Sequence, residues 1–243
     1  MSRLVLMGAM VLTLTACAQP ISPNRPAPEG QLAVMGSGLN FALDAPPRDW
    51  IIATDAANRG PTPASTPLST VVIDGVSALE MRSGPVRSLA VRRVDAMLLA
   101  TPYLSWAWHV SDHGTGIHPV RLVVGFMGGA PDSAQVEVMG GDGGGLPEHD
   151  RALTLVWGDT ALRRGTLSLP PAERPLEAPI YTVRGGRENT RKWWQDTVDL
   201  SDLYAQAWPE DSRRIARITF IGVAAAPRVP AVRGRVSGIL LSH

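Results

Sequence analysis

Four of the five histidines in this 243-residue chain fall in one segment and one nearby loop, where metal chemistry would first be sought. His109, His113 and His118 come close together with Asp112 among them, and Glu148 and Asp150 flank His149. Imidazole and carboxylate are the usual non-thiolate ligands of zinc. Their spacing matches no motif of fixed geometry: H-E-x-x-H is absent, and a turn at Gly114-Thr115-Gly116 would scatter the side chains. The expectation is solvated loop residues, with no metal site and no cofactor.

Nucleophilic chemistry has no better footing. There is no G-x-S-x-G elbow, and the single cysteine, Cys17, lies far from any histidine in sequence. Carboxylates are present at Asp44, Asp95, Glu137, Glu188 and Asp196. Glycoside hydrolysis needs two of them about 5–9 Å apart, which no sequence spacing here specifies. Gly140-Gly141-Asp142-Gly143-Gly144-Gly145 lacks the Lys-Ser/Thr of a phosphate loop and the repetition of a calcium roll, so it reads as a flexible hairpin connection. No catalytic residue is assigned, and a glycan-active hydrolase ranks below a binding role.

The aromatic residues carry more information. In Tyr103-Leu104-Ser105-Trp106-Ala107-Trp108-His109-Val110, period-two alternation places Trp106 and Trp108 on one face with Leu104 and Val110. That face is expected to be core. Tyr103, Ser105, Ala107 and His109 take the other, a candidate binding surface. Trp193 and Trp194 must point to opposite sides of a strand. Trp194 shares parity with Val198 and Leu200 and should be buried; Trp193 goes with Gln195, Thr197 and Asp199 and should be exposed, as on a sugar-binding face. Tyr103, His109 and Trp193 are therefore the candidate ligand-binding residues. Asp196 falls on the apolar side, where a carboxylate needs a partner, with Arg217 or Arg121 as candidates.

Period two also dominates the elements that must position these residues. Strands are expected at 71–73, 78–82, 103–110, 120–127, 134–139, 152–157, 180–184, 192–200, 215–223 and 234–241. One helix is expected at 201–208, capped by Ser201 and stopped by Pro209. The fold class is all-β, a β-sandwich or jelly roll, with one domain over 32–243.

The N-terminus reads as an address. Arg3, the apolar run Leu4 to Leu14 and the sequence Leu14-Thr15-Ala16-Cys17 look like a lipoprotein signal (1–16) ending in a lipobox, with Cys17 as acyl acceptor. The run is shorter than the ~20 residues that span a bilayer. Residues 17–31 are proline-rich, as in an extended spacer. Ala18 stands where aspartate would favour inner-membrane retention, so the inner face of an outer membrane, facing the periplasm, is the expected location. With 23 basic and 22 acidic residues, nothing points to nucleic acid. Lys192 is the only lysine, so arginine abundance by itself carries little functional weight.

The order of features is distinctive: L-x-W-x-W-x-V after Pro102, a strand with Arg121, Val123 and Phe126, and then Leu155-Val156-Trp157-Gly158. Trp193-Trp194, Asp202-Leu203-Tyr204, an Ile-rich strand and a closing Gly-x-Ile-Leu-Leu strand follow. From Phe41 to Ser242 it resembles a family of secreted bacterial proteins catalogued only as a domain of unknown function, itself similar to the galactose-binding-like, carbohydrate-binding-module-like jelly rolls. The chain departs from that pattern at Ile117-His118-Pro119-Val120, where an acidic pair often stands, and at Ala224-Ala225-Ala226-Pro227, where an aspartate-rich turn usually follows. The resemblance implies the fold. The expected function is a lipid-anchored, non-catalytic module binding a carbohydrate or envelope polymer. The alternative is a structural or adaptor lipoprotein contacting another envelope protein.

Overall fold

The computed structural model describes residues 24–36, 45–54, 67–129, 138, 145–211 and 215–243. The expected lipobox with Cys17, Asp44, Glu137, most of the glycine run and nearly all of the expected strand at 134–139 lie outside the described residues. No helix among the described residues is long and apolar enough to cross a membrane.

Chain order runs β1 (Leu32–Met35), β2 (Trp50–Thr54), β3 (Leu68–Ile73), β4 (Val76–Arg82), β5 (Ser88–Met97), β6 (Tyr103–Val110), β7 (Val120–Met127), β8 (Arg151–Gly158), β9 (Leu167–Ser168), β10 (Ile180–Gly185), β11 (Trp194–Asp199), helix α1 (Leu200–Ala207), β12 (Arg217–Ala225) and β13 (Arg233–Ser242). Sheet A has the order β11-β6-β13-β4-β3, with β1 also paired to β13; sheet B has the order β2-β5-β12-β7-β8-β10-β9. The pairs are antiparallel except β8 with β10. The two sheets pack face to face, as the alternation predicts.

Between them lies the main core, in which Leu104, Trp106, Trp108, Leu122, Leu153, Leu155 and Trp157 are essentially inaccessible. Trp108 meets Trp106 and Trp157 edge-on at 5.4 and 5.3 Å between ring centroids, a favourable quadrupolar arrangement. Trp106 and Trp108 are thus core, as their parity requires.

The alternation misses β1, β2, β5 and β9, and for β5 the cause is visible. In β5 the inward side chains Ala90, Val94 and Ala96 are interrupted by Arg92, Arg93 and Asp95, which blurs the period. Arg92 is not at the surface by accident: its guanidinium donates to the carbonyls of Ala33 and Val34 at 2.6 and 2.9 Å, tying β1 to β5. Within the expected spacer the chain is already tied to β5: the Asn24 carbonyl accepts from the Asp95 amide and Arg25 pairs with the Asp95 carboxylate at 2.8 Å.

Helix α1 begins one residue earlier than expected and its cap is Asp199, not Ser201. The Asp199 carboxylate accepts from the amides of Ser201 and Asp202 at 2.9 and 3.1 Å, and the Ser201 hydroxyl itself donates to Asp199. A carboxylate at the positive end of the helix gains from the dipole as well as the bonds, so it outcompetes a hydroxyl.

Candidate binding face

On sheet A the outward row comprises Gln195 and Thr197 of β11; Tyr103, Ser105, Ala107 and His109 of β6; Arg235 and Ser237 of β13; and Ala78 and Glu80 of β4. It is small and polar, as suits a face that the core does not claim. Trp193, just ahead of β11, lays its indole on this row. Its ring centroid is 5.5 Å from that of His109, and its Nε1–H donates to the Ile73 carbonyl at 3.3 Å.

That bond has a geometric consequence. Trp193 precedes β11, while Ile73 ends β3, and these strands are opposite edges of the five-strand path. In a flat sheet with strands ~4.8 Å apart, those edges stand about 19 Å apart, well beyond an indole's reach. Sheet A must therefore curl toward its outer side, which makes the face concave. Ala78, Ser237 and His109 are buried at 3%, 7% and 8% exposure although they point outward, and they mark the floor of the trough.

A row of polar contacts crosses the floor. Arg235 donates to Nδ1 of His109 at 3.2 Å and to Glu80 at 2.7 Å. A guanidinium can only donate, so Nδ1 accepts and the neutral ring carries its proton on Nε2. Trp193, His109, Arg235 and Glu80 thus form one connected series across the sheet.

Of the three candidate ligand residues, His109 and Trp193 come together. Tyr103 does not: it sits six residues away on β6, about 20 Å along the strand, and is 42% exposed. Trp193 is also half-buried rather than fully exposed, because its N–H is bonded to the Ile73 carbonyl and its ring packs against His109. Arg235 and Glu80 were missed, since only the β4–β13–β6 register brings them beside His109.

Asp196 faces inward, as its parity requires, but its partner is neither Arg217 nor Arg121. Arg184 of β10 binds it with two bonds at 2.7 and 2.8 Å, Trp108 Nε1–H donates to it at 2.9 Å, and Arg164 stands 3.7 Å away. A bulge between Thr182 and Arg184 puts Arg184 in register with Trp157, on the core side. Arg184 also stacks on Trp194, 4.1 Å from its ring centroid. Trp194 is half-buried against the core, and the guanidinium occupies the side where full burial was expected. Arg217 instead pairs with Asp95, and Arg121 donates to the Pro119 carbonyl at 3.3 Å.

The histidines are not solvated loop residues. His109, His113, His118 and His149 are all buried. His149 packs edge-on against Phe220 at 5.0 Å, and its Nδ1 lies 2.8 Å from the Pro147 carbonyl. His113 and His118 meet each other at 4.9 Å. Burial, reinforced by the proximity of His113, pushes His118 down to about 3, and its Nδ1 accepts from the Val120 amide at 3.0 Å. Four residues that pattern together in sequence thus occupy three separate places. Among the described residues no three His, Cys, Asp or Glu side chains are placed to share a metal ion.

A family model described as a protein of unknown function (DUF3047) matches residues 61–226. The chain belongs to the DUF3047 family. No curated protein matches the sequence of this DUF3047 protein. Among solved structures, it is similar to the family 11 carbohydrate-binding module of the cellulase Lic26A-Cel5E of Clostridium thermocellum, at 10% identity and a TM-score of 0.39 over 86% of this chain and 92% of that one. A family 11 module from the same organism, in complex with a β-1,3-1,4-mixed-linked tetrasaccharide, is similar at 9% identity and a TM-score of 0.39, covering 89% of this chain and 97% of that one. The xyloglucanase domain of NopAA, a type three effector from Sinorhizobium fredii, in complex with cellobiose, is similar at 10% identity and a TM-score of 0.37, over 89% of this chain and 99% of that one. These likenesses concern the β-sandwich fold and say nothing of a ligand for this protein.

Proposed function

We propose that this DUF3047 protein is a non-catalytic carbohydrate-binding module that holds a glycan in the concave outer face of sheet A, with Trp193 as the stacking surface. The observation that carries this reading is the seated indole. Its N–H is already bonded to Ile73 and its ring stands against His109 at a tilt of 59°, so the half-buried indole is held in one orientation with part of its surface open to solvent. A pre-positioned aromatic ring loses little conformational freedom on binding, and its apolar face suits the C–H side of a sugar ring.

The arrangement of carboxylates favours binding over hydrolysis at this face. Glu80 is engaged by Arg235 at the His109 end, and Asp199 caps α1 opposite Tyr103 at the other end. Six residues of strand separate the two levels, about 20 Å, whereas paired glycosidase carboxylates stand about 5–9 Å apart. The lipobox at Leu14 to Cys17 supports the further reading that the module is acylated at Cys17 and held in the cell envelope, on the inner face of an outer membrane.

A thermal-shift screen of the full chain against neutral and acidic oligosaccharides and peptidoglycan fragments tests this function. A ligand at about a hundred times its dissociation constant adds ~2.7 kcal/mol of stability. A sugar-dependent shift that disappears in Trp193→Ala is the expected result. No shift with any glycan, on a cooperatively unfolding protein, overturns it in favour of a protein-contacting adaptor.

A further inference from the structure

At the end of the trough beyond His109 the charge distribution departs from that of the chain, whose formal net charge is only +1. Arg82 of β4 and Arg233 of β13 are directly opposite each other in the sheet and on its outward side. Like charges in that position destabilise a strand pair. Their neighbours do not relieve them. Glu80 is held by Arg235 at 2.7 Å and reaches Arg233 only at 3.6 Å, while among the described residues Arg82 has no ion-pair partner.

The row continues across the sheet. The Arg233 carbonyl accepts from the Ser111 amide, and the Arg191 amide donates to the Val110 carbonyl, so the ends of β4, β13 and β6 and the approach to β11 lie side by side. Arg191 adopts a left-handed backbone (φ 60°), a conformation unfavourable for a side chain of its type. Its guanidinium is 74% exposed and stands 3.8 Å from Asp112, which also serves Arg187 at 3.5 Å. The Gly114 amide and these two arginines hold the Asp112 carboxyl below the usual range. Lys192, exposed and adjacent to Trp193, has no ion-pair partner among the described residues. Glu188, beside Arg187, and Asp74, next to the Ile73 carbonyl that holds the Trp193 indole, add further negative charges.

This stripe of loosely held cations borders the seated indole. We propose that it takes the carboxylates of an acidic polysaccharide lying across the strands, with one sugar stacked on Trp193. Guanidinium groups suit this ligand because they grip carboxylates with two parallel bonds. Arg82 and Arg233 stand on adjacent strands about 4.8 Å apart, and beyond Ser111 of the next strand the row resumes at Arg191. The inference rests on the glycan-binding reading and narrows it to uronic-acid-bearing polymers.

Affinity electrophoresis of the full chain in gels containing polygalacturonate or a neutral β-glucan tests it. Four proteins are compared: wild type, Arg82→Gln/Arg233→Gln, Trp193→Ala and the control Arg174→Gln, which lies on the loop before β10. Thermal midpoints report whether each is folded. The expected result is retardation by polygalacturonate only, weakened by added salt, at least tenfold weaker in Arg82→Gln/Arg233→Gln at an unchanged midpoint, and unaffected in Arg174→Gln. Equal retardation by the neutral glucan, insensitive to the arginine changes, overturns the acidic ligand and leaves the glycan-binding function standing. Retardation by neither polymer overturns the acidic ligand, and that function also falls if the oligosaccharide screen shows no shift. Arginine-dependent binding to phosphatidylglycerol vesicles without retardation by polygalacturonate overturns it in favour of a lipid surface.

Discussion

On sheet B the outward row is Leu89, Val91, Val123, Ala152, Phe220 and Ala224, roofed by Val138, Leu146 and Ala178 into a second apolar core. On sheet A the corresponding row is serine, alanine, threonine, glutamine and charge, and the cover identified over it is one indole. Two sheets of one sandwich thus meet solvent differently. Sheet B is buried on both faces, so β7 and β8 read as continuous apolar runs; β6 of sheet A alternates. A face closed by its own chain contributes to stability. A face left small, polar and concave is open to a ligand, and the proposed glycan site lies there.

Four measurements can break or sharpen that contrast. Phe220 fills the outer core of sheet B, lying so close to β7 that a side chain on Gly125 would collide with its ring. Phe220→Ala is expected to cost about 3–5 kcal/mol in denaturant unfolding and to leave glycan binding intact; a cost near zero would mean that the roof over sheet B contributes little. Next comes the buried end loop. His118 is neutral in the fold with its proton affinity pushed down to about 3, from 6.5 for a free imidazole. Its contribution is present above about pH 6.5 and is lost as the pH falls toward 3, because the unfolded chain binds the proton first. The slope is up to ~1.4 kcal/mol per pH unit. Thermal midpoints measured between those limits should flatten in His118→Asn, whose amide oxygen can still accept from the Val120 amide. Trp193→Ala is expected to cost about 1–2 kcal/mol for a half-buried ring while abolishing ligand-induced stabilisation. Smallest is Thr197→Ala on the open face, expected within about ±0.5 kcal/mol by the same unfolding assay.

The inner faces were legible in the sequence because Leu104, Trp106, Trp108 and Val110 keep strict alternation through an unbroken strand. Legibility stopped at the bulges. Between Ile218 and Phe220 the register slips, so Phe220 points away from the core that Ile218 and Ile221 enter, and nothing in the residue types announces it. The same device at Val183 turns Arg184 inward to Asp196 and hid that pair. For the binding face, Trp193 and His109 could be found by parity alone. The cross-strand neighbours Glu80, Arg82, Arg233 and Arg235 could not, since their proximity depends on a β4–β13 register between segments some 150 residues apart. The four histidines are scattered, as the turn at 114–116 implies, because the chain leaves β6 and crosses to the other sheet between His109 and His118, but their burial was not legible, since it depends on what packs over the strand ends.

Of the thirteen strands among the described residues, the last in sequence, β13, pairs with β1, β4 and β6 and stands in the middle of sheet A. Synthesis from the N-terminus therefore supplies the central plank of the trough after the strands that flank it. Until Arg233 to Ser242 arrive, β6 and β4 have unfilled edges and Trp193 has no curved surface to rest on. The nascent protein must remain unassembled on that side until β13 closes the sheet, a state in need of protection from self-association through the open edges of β4 and β6.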